Sequence, residues 1–257
     1  MSPTVFTLLL GGSLAAGWVD AVVGGGGLIL IPLIMIVNPG FSTAQALGIN
    51  KIAALFGTGS SAITLTRNTP SALTALRYAP LAITASIGGA LLASTIDKQV
   101  IRPVIIVLLV AVGFFILLRP TFGQSPHTTL APAPHRWAGL LALIAAISTY
   151  DGAFGPGTGL FLILSFTSVL GTDFMVSAAW AKIINVCTNL GALLAFAVQG
   201  DVLWLLGLAL AVTNIIGAQI GARMVVGRGT RFVRIIILMV VVVMAGKLTL
   251  DQLGPIH

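Results

Sequence analysis

Six stretches of about twenty residues, 45–66, 78–96, 101–118, 175–198, 202–222 and 233–250, are almost wholly apolar, and each is long enough as a helix to cross a hydrocarbon core of about 30 Å. That pattern decides the class. A soluble domain coats itself with about 25% charged residues, whereas 7% of these 257 residues are charged and Glu is absent. The chain therefore reads as an all-α polytopic membrane protein. Residues 1–19 are also apolar but have no basic n-region and no A-x-A site. They are expected to form the first membrane element and not a cleaved signal.

Two regions depart from simple spans. Residues 5–19 run into Gly24-Gly25-Gly26-Gly27 and then the short apolar piece 28–37, and residues 137–150 run into Gly155-Pro156-Gly157-Thr158-Gly159 and then 160–170. Ten or eleven residues of helix reach only about 16 Å, half a bilayer. Short, Gly-interrupted segments at corresponding places in two halves are a pointer to a transporter binding site. The correspondence is numerical: Asp20 and Asp151, Gly24 and Gly155, Gly26 and Gly157, and Lys51 and Lys182 are all 131 positions apart. The chain thus reads as a tandem duplication. Repeat 1 covers 1–118, with broken pair 5–37 and spans 45–66, 78–96 and 101–118. A Pro-rich linker, 119–136, holds His127 and His135. Repeat 2 covers 137–257, with broken pair 137–170 and spans 175–198, 202–222 and 233–250.

A Gly-broken helix pair plus three transmembrane helices makes an odd number of elements, which inverts the second repeat relative to the first. The loop charges favour that arrangement. Inversion puts Arg67, Arg77, Arg119, Arg136, Arg223, Arg228, Arg231 and Arg234 in the cytoplasm against Lys98, Arg102 and Lys247 outside, eight to three, whereas parallel repeats give six to five. The positive-inside rule then places both termini outside the cytoplasm. The surplus of 13 Lys and Arg over six Asp suits anionic lipid headgroups. No basic run is interleaved with aromatics, so nucleic acid is not an expected partner.

Backbone without helical hydrogen bonds at membrane depth must be buried in protein or line a cavity. Gly24–Gly27 and Gly155, Gly157, Thr158 and Gly159 would let the chain turn and aim N–H groups inward at the positive ends of two short helices, a place suited to an anion. The plainer reading is tight helix packing through small residues. Lys51 and Lys182 lie about 10–12 Å deep in their helices and would meet near the midplane, unless each snorkels to the interface. Lys182, Asn185 and Asn189 share one helical face; in the first copy that face reads Lys51, Ala54 and Thr58, beside Asn50. Asp20 and Asp151 could pair with the lysines, carry protons, or accept from backbone N–H groups. Cys187 reads as a small buried hydrophobe. Asp97, Asp173, Asp201 and Asp251 fall in loops or near the end. No phosphate-binding Gly-Lys-Ser/Thr loop, nucleophile–base pair or metal-ligand cluster is legible, so no cofactor, no metal and no enzymatic activity are expected.

The stretches Gly17-Trp18-Val19-Asp20-Ala21-Val22-Val23-Gly24-Gly25-Gly26-Gly27, Ala46-Leu47-Gly48-Ile49-Asn50-Lys51, Asp151-Gly152-Ala153-Phe154-Gly155-Pro156-Gly157-Thr158-Gly159 and Ala181 to Asn189 resemble the TauE/SafE sulfite exporter family, the TSUP group of bacterial membrane proteins. The second copy has Ile163 where the first has Pro32. The resemblance implies a secondary carrier of the bacterial cell membrane for sulfite, sulfonates, thiosulfate or similar anions. Coupling to protons or to the anion gradient, with alternating access, is the expectation. A cation carrier using Asp20 and Asp151 and a passive anion channel are the alternatives.

Overall fold

A computed structural model describes residues 1–93 and 134–252, the latter without the side chains of 134–136, 234, 237, 238 and 240–252. The expected span 101–118, most of the linker, and Asp97, Lys98, Arg102, Arg119, His127 and His257 lie outside the described residues. So do the side chains of His135, Arg136, Arg234, Lys247 and Asp251. The described chain is helical: α1 Pro3–Val23, α2 Gly27–Val37, α3 Thr43–Asn68, a 3₁₀ segment Pro70–Tyr78 leading into α4 Ala79–Ala93, α5 Pro134–Ala153, α6 Thr158–Leu170, α7 Phe174–Val198 and α8 Trp204–Gln252. Helices α1, α3 and α7 begin where their sequences supply an acceptor for an unpaired first-turn N–H. Ser2 caps α1, Ser42 and Gln45 form a capping box on α3, and Asp173 caps α7 through Met175 N–H at 2.8 Å.

Two boundaries differ from the expected ones. Helix α5 starts at Pro134 and not at 137, because proline fits a first turn whose N–H has no helical partner. Helix α8 does not stop at 222; the turn carrying Arg223 and Arg228 is helical, and the interruption before the next apolar run is Gly229, at φ 67° and ψ −165°. Arg223, Arg228 and Arg231 stay exposed while Val225 and Val233 are buried, so the basic stretch runs through two helical pieces that meet at the Gly229 kink. The 26-residue α3 is not among the four described segments both long and apolar enough to cross a bilayer, Pro3–Val23, Pro70–Ala93, Phe174–Val198 and Trp204–Val233. The reason is its polar content: Asn50, Lys51, Thr58 and Ser61 are all buried, facing protein and not lipid.

Helix starts repeat with the same spacing as the motifs. Pro3, Gly27 and Thr43 open α1, α2 and α3, and Pro134, Thr158 and Phe174 open α5, α6 and α7, in each case 131 positions later. The packing exchanges partners between the copies: α4 lies against α5 and α7, while α8 lies against α1 and α3. Glycines make both exchanges close. A Cβ on Gly152 would meet Ala90 N at 2.9 Å, and one on Gly217 would meet Leu14 C at 2.9 Å and Trp18 N at 3.0 Å. The surface is apolar, with Phe56, Ile63, Leu194, Leu208, Val212, Ile216 and Ile220 exposed, while Ser13, Ser86, Thr188 and Asn214 are buried. That distribution suits a lipid solvent, in which interior polar groups tie helices together.

Asn214 is such a tie. Its Nδ2 donates to Ser13 O at 3.0 Å, and Ser13 Oγ donates to Leu210 O at 2.8 Å, joining α1 to α8. Asn214→Leu removes the donor and crowds Gly57, on which Asn214 rests. A lost buried hydrogen bond together with overpacking costs about 1–3 kcal/mol. Detergent-solubilised Asn214→Leu is expected to melt several degrees below the unaltered protein by intrinsic fluorescence, a clear loss for one interhelical contact.

Candidate functional site

The two glycine breaks fold into bends that touch each other. Helix α1 ends at Gly24, in the left-handed region at φ 80°, with its N–H donating to Asp20 O at 2.7 Å. The other bend carries Gly155 at φ 90° and Gly157 at φ 82°. Gly159 N–H donates to Gly24 O at 3.3 Å across the two halves. A Cβ on Gly24 would lie 2.7 Å from Gly159 C and 2.8 Å from Leu160 N, so backbone occupies the place of any side chain. Helices α2 and α6 start from Gly26 and Gly157 without a side-chain cap, unlike α1, α3 and α7. Gly25 faces Leu28 and Val19, and Gly27 faces Asn50 Nδ2 and Pro156 N. In this conformation the N–H groups of Gly24, Gly155, Thr158 and Gly159 all donate within the fold.

Beside the bends the lysines and aspartates pair crosswise. Lys51 on α3 donates to Asp151 O at 2.6 Å and lies 3.1 Å from Asp151 Oδ1 on α5. Lys182 on α7 lies 3.0 Å from Asp20 Oδ2 on α1 and also donates to Asp20 O. Each ammonium therefore reaches the carboxylate and the carbonyl of the aspartate in the other copy. Lys51 is 1% and Lys182 2% exposed; neither snorkels. Two opposite pairs keep the centre formally neutral. A buried pair compensates the several kcal/mol of desolvation per ion only with good geometry and further hydrogen bonds. Those bonds come from hydroxyls: Thr58 Oγ1 donates to Asp20 Oδ2 at 2.8 Å, and Thr158 Oγ1 to Asp151 Oδ1 at 2.7 Å.

Asp20, Gly24, Gly27, Asn50, Lys51, Asp151, Gly155, Thr158, Gly159 and Lys182 are thus brought together. Gly155 belongs with them because a Cβ there would meet Lys51 Nζ at 3.1 Å and Asp151 Oδ1 at 3.3 Å. Asn185 and Asn189, buried on α7 with Lys182, bond to each other, Nδ2 of Asn189 donating to Asn185 Oδ1 at 3.1 Å. Cys187 is buried among apolar side chains. Asp173 turns out to be a helix cap. Among the described residues, no group of three or more His, Cys, Asp or Glu side chains is placed to hold a metal ion.

Sequence reasoning left the two threonines without a partner and did not single out Tyr150, whose hydroxyl donates to Pro156 O at 2.7 Å and braces the second bend. No repeat signal could have found the threonines. Thr58 corresponds by the spacing to Asn189, and Thr158 to Gly27, so the two aspartates draw their hydroxyls from unrelated elements. Arg77, expected only as a topology charge, stacks over the rings of Tyr78 and Trp137 at 4.8 and 4.9 Å, a cation–π contact.

Comparison with known proteins finds similarity along nearly the whole chain. The family model described as sulfite exporter TauE/SafE matches residues 9–248. The chain is 34% identical over 258 residues to the probable membrane transporter protein YfcA of Escherichia coli strain K12, covering 99% of this chain and 93% of that protein. It is 32% identical over 246 residues to a probable membrane transporter protein of a Sinorhizobium species, covering 94% and 91%. No solved structure matches.

Proposed function

Because the chain belongs to the sulfite exporter TauE/SafE family of multi-pass membrane transporters, we propose that it is a secondary carrier of small sulfur-containing anions such as sulfite, thiosulfate or sulfonates. The observation that carries this reading is the crossed pair of buried ammonium groups, Lys51 and Lys182, against two touching glycine bends. Ionisable residues inside membrane segments are costly and mark ion pathways. Here they sit at the uncapped starts of two short helices, where a helix terminus favours negative charge.

In this reading the described conformation is substrate-free, and each carboxylate occupies the place at an ammonium that the anion takes over. Asn50, beside Gly27 at the first bend, orients the oxyanion, with Asn185 and Asn189 extending the polar face of α7. The exchange of helices between the halves supports rocking of two inverted repeats in the bacterial cell membrane, with both termini outside. A cation carrier built on Asp20 and Asp151 fits less well, since each carboxylate already faces an ammonium at 3.0–3.1 Å.

The test is counterflow in proteoliposomes of the purified chain, with sulfite, thiosulfate, sulfoacetate, taurine, sulfate and chloride supplied in turn. The expected result is saturable uptake of at least one sulfur oxyanion, accelerated by the same anion inside. Uptake that never saturates and shows no counterflow would identify a channel, and a chemically altered product an enzyme; either overturns the proposal.

A further inference from the structure

The two aspartates occupy matching places in their pairs, yet their second carboxylate oxygens differ. Asp20 retains 11% side-chain exposure, against 2% for Asp151. Asp151 Oδ2 is sealed inside the protein with no hydrogen-bond partner. A fully charged carboxylate with one oxygen in that state is expensive; a proton on that oxygen removes the charge. A second orphan lies three residues earlier on α5: Ser148 is fully buried and its Oγ has no partner. Residues three apart on a helix have Cβ atoms about 5–6 Å apart on one face, a gap that a rotated hydroxyl or one water can bridge. The first copy has no such pair, because Gly17 stands at the position of Ser148 and packs on the backbone of Asn214.

Resting on the reading of this site as an anion carrier, we propose that Asp151 is the protein's single proton-coupling group, that Ser148 positions its proton, and that Asp20 stays ionised throughout the cycle. With both pairs ionised the centre is neutral. A proton from the aqueous phase adds to Asp151 Oδ2, the carboxylate becomes a carboxylic acid, and no other bond is made or broken. The centre then carries one positive charge on Lys51, which one monovalent anion neutralises. On the opposite side the anion leaves and Oδ2 returns its proton to water. The transport unit is one proton with one monovalent anion.

The other groups around Asp151 do not replace it in this role. Helix α5 packs against α4, α6 and α7, and α4 and α6 contain no titratable residue. From α7 come Lys182, held by Asp20, and the buried Cys187. Lys51 reaches in from α3 as the ion-pair partner, and Tyr150 on α5 itself donates its proton to Pro156 O. Arg77 lies over Trp137, at the far end of α5.

The experiment uses methanesulfonate, a monovalent sulfonate, in proteoliposomes containing a pH-sensitive dye. For the unaltered protein, a gradient of one pH unit, alkaline inside, is expected to give about tenfold accumulation, and an imposed potassium diffusion potential is expected to leave uptake unchanged. Asp151→Asn is expected to reduce proton uptake per anion from about one to zero in whatever flux remains. Ser148→Ala is expected to move the pH midpoint of uptake to more acid values by weakening the protonated form. Potential-driven uptake without protons in the unaltered protein would overturn the coupling while leaving the carrier intact. An unchanged proton ratio in Asp151→Asn would overturn the assignment to that residue. If Asp151→Asn does not reach the membrane, an unshifted midpoint in Ser148→Ala overturns the proposal. Absence of flux for every sulfur anion sinks the carrier reading itself.

Discussion

Lys182→Ala, at membrane abundance matched to the unaltered protein, is expected to abolish sulfur-anion counterflow, with a fall of at least about 100-fold, equivalent to roughly 3 kcal/mol of lost interaction with the anion. Stability should fall too. Removing the ammonium leaves the Asp20 carboxylate buried with Thr58 as its side-chain donor, and an uncompensated buried charge costs about 3–5 kcal/mol. For a protein of this size that corresponds to a melting point lower by roughly 10 °C. A double variant separates the two effects. Lys182→Ala with Asp20→Asn removes both charges, so its melting point should recover most of the loss, while its flux should stay as low as in the single variant. Recovery of flux in the double variant would show that Lys182 serves only to neutralise Asp20 and never meets the anion.

The class of the fold was legible because the physics of lipid leaves few choices. Long uncharged runs with almost no acidic residues cannot coat a soluble protein, and the 131-residue spacing of aspartates, glycines and lysines announced helix starts that recur at that same spacing. The place of the bends was legible because polyglycine followed by half a span leaves the backbone little else to do. The crossed pairing was not. From one copy alone, Lys51 and Asp20 of the same half look like natural partners, being 31 positions apart; that each reaches into the other half follows from helix exchange, which no local pattern encodes. The stretch between the last two expected spans was legible only in part. The arginines mark a break when read as charge, but Arg223 and Arg228 extend the first helical piece with an apolar buried side, and the chain kinks only at Gly229, before Arg231.

The second large effect concerns contact between the bends. Gly24→Ala is expected to destabilise the protein by roughly 2–5 kcal/mol, the sum of about 1–2 kcal/mol for a side chain in the left-handed region and about 1–3 kcal/mol for overpacking. The strain has no local outlet. The new methyl would press on the backbone of Gly159 and Leu160, which cannot rotate aside as a flexible side chain would. Gly40→Ala is the matched control, since nothing lies within 4 Å of a Cβ there; its melting point should stay within a degree or two of the unaltered protein. The loss in Gly24→Ala should appear as a melting point lower by roughly 10 °C and as lost counterflow. These two readouts share one cause. Gly159 N–H is held by Gly24 O, and the pairs Lys182–Asp20 and Lys51–Asp151 are anchored at the residues that lead into the two bends. Pushing the bends apart therefore pulls both ion pairs out of register at once. If Gly24→Ala melts with Gly40→Ala and transports normally, contact between the bends is not what holds the charged centre together.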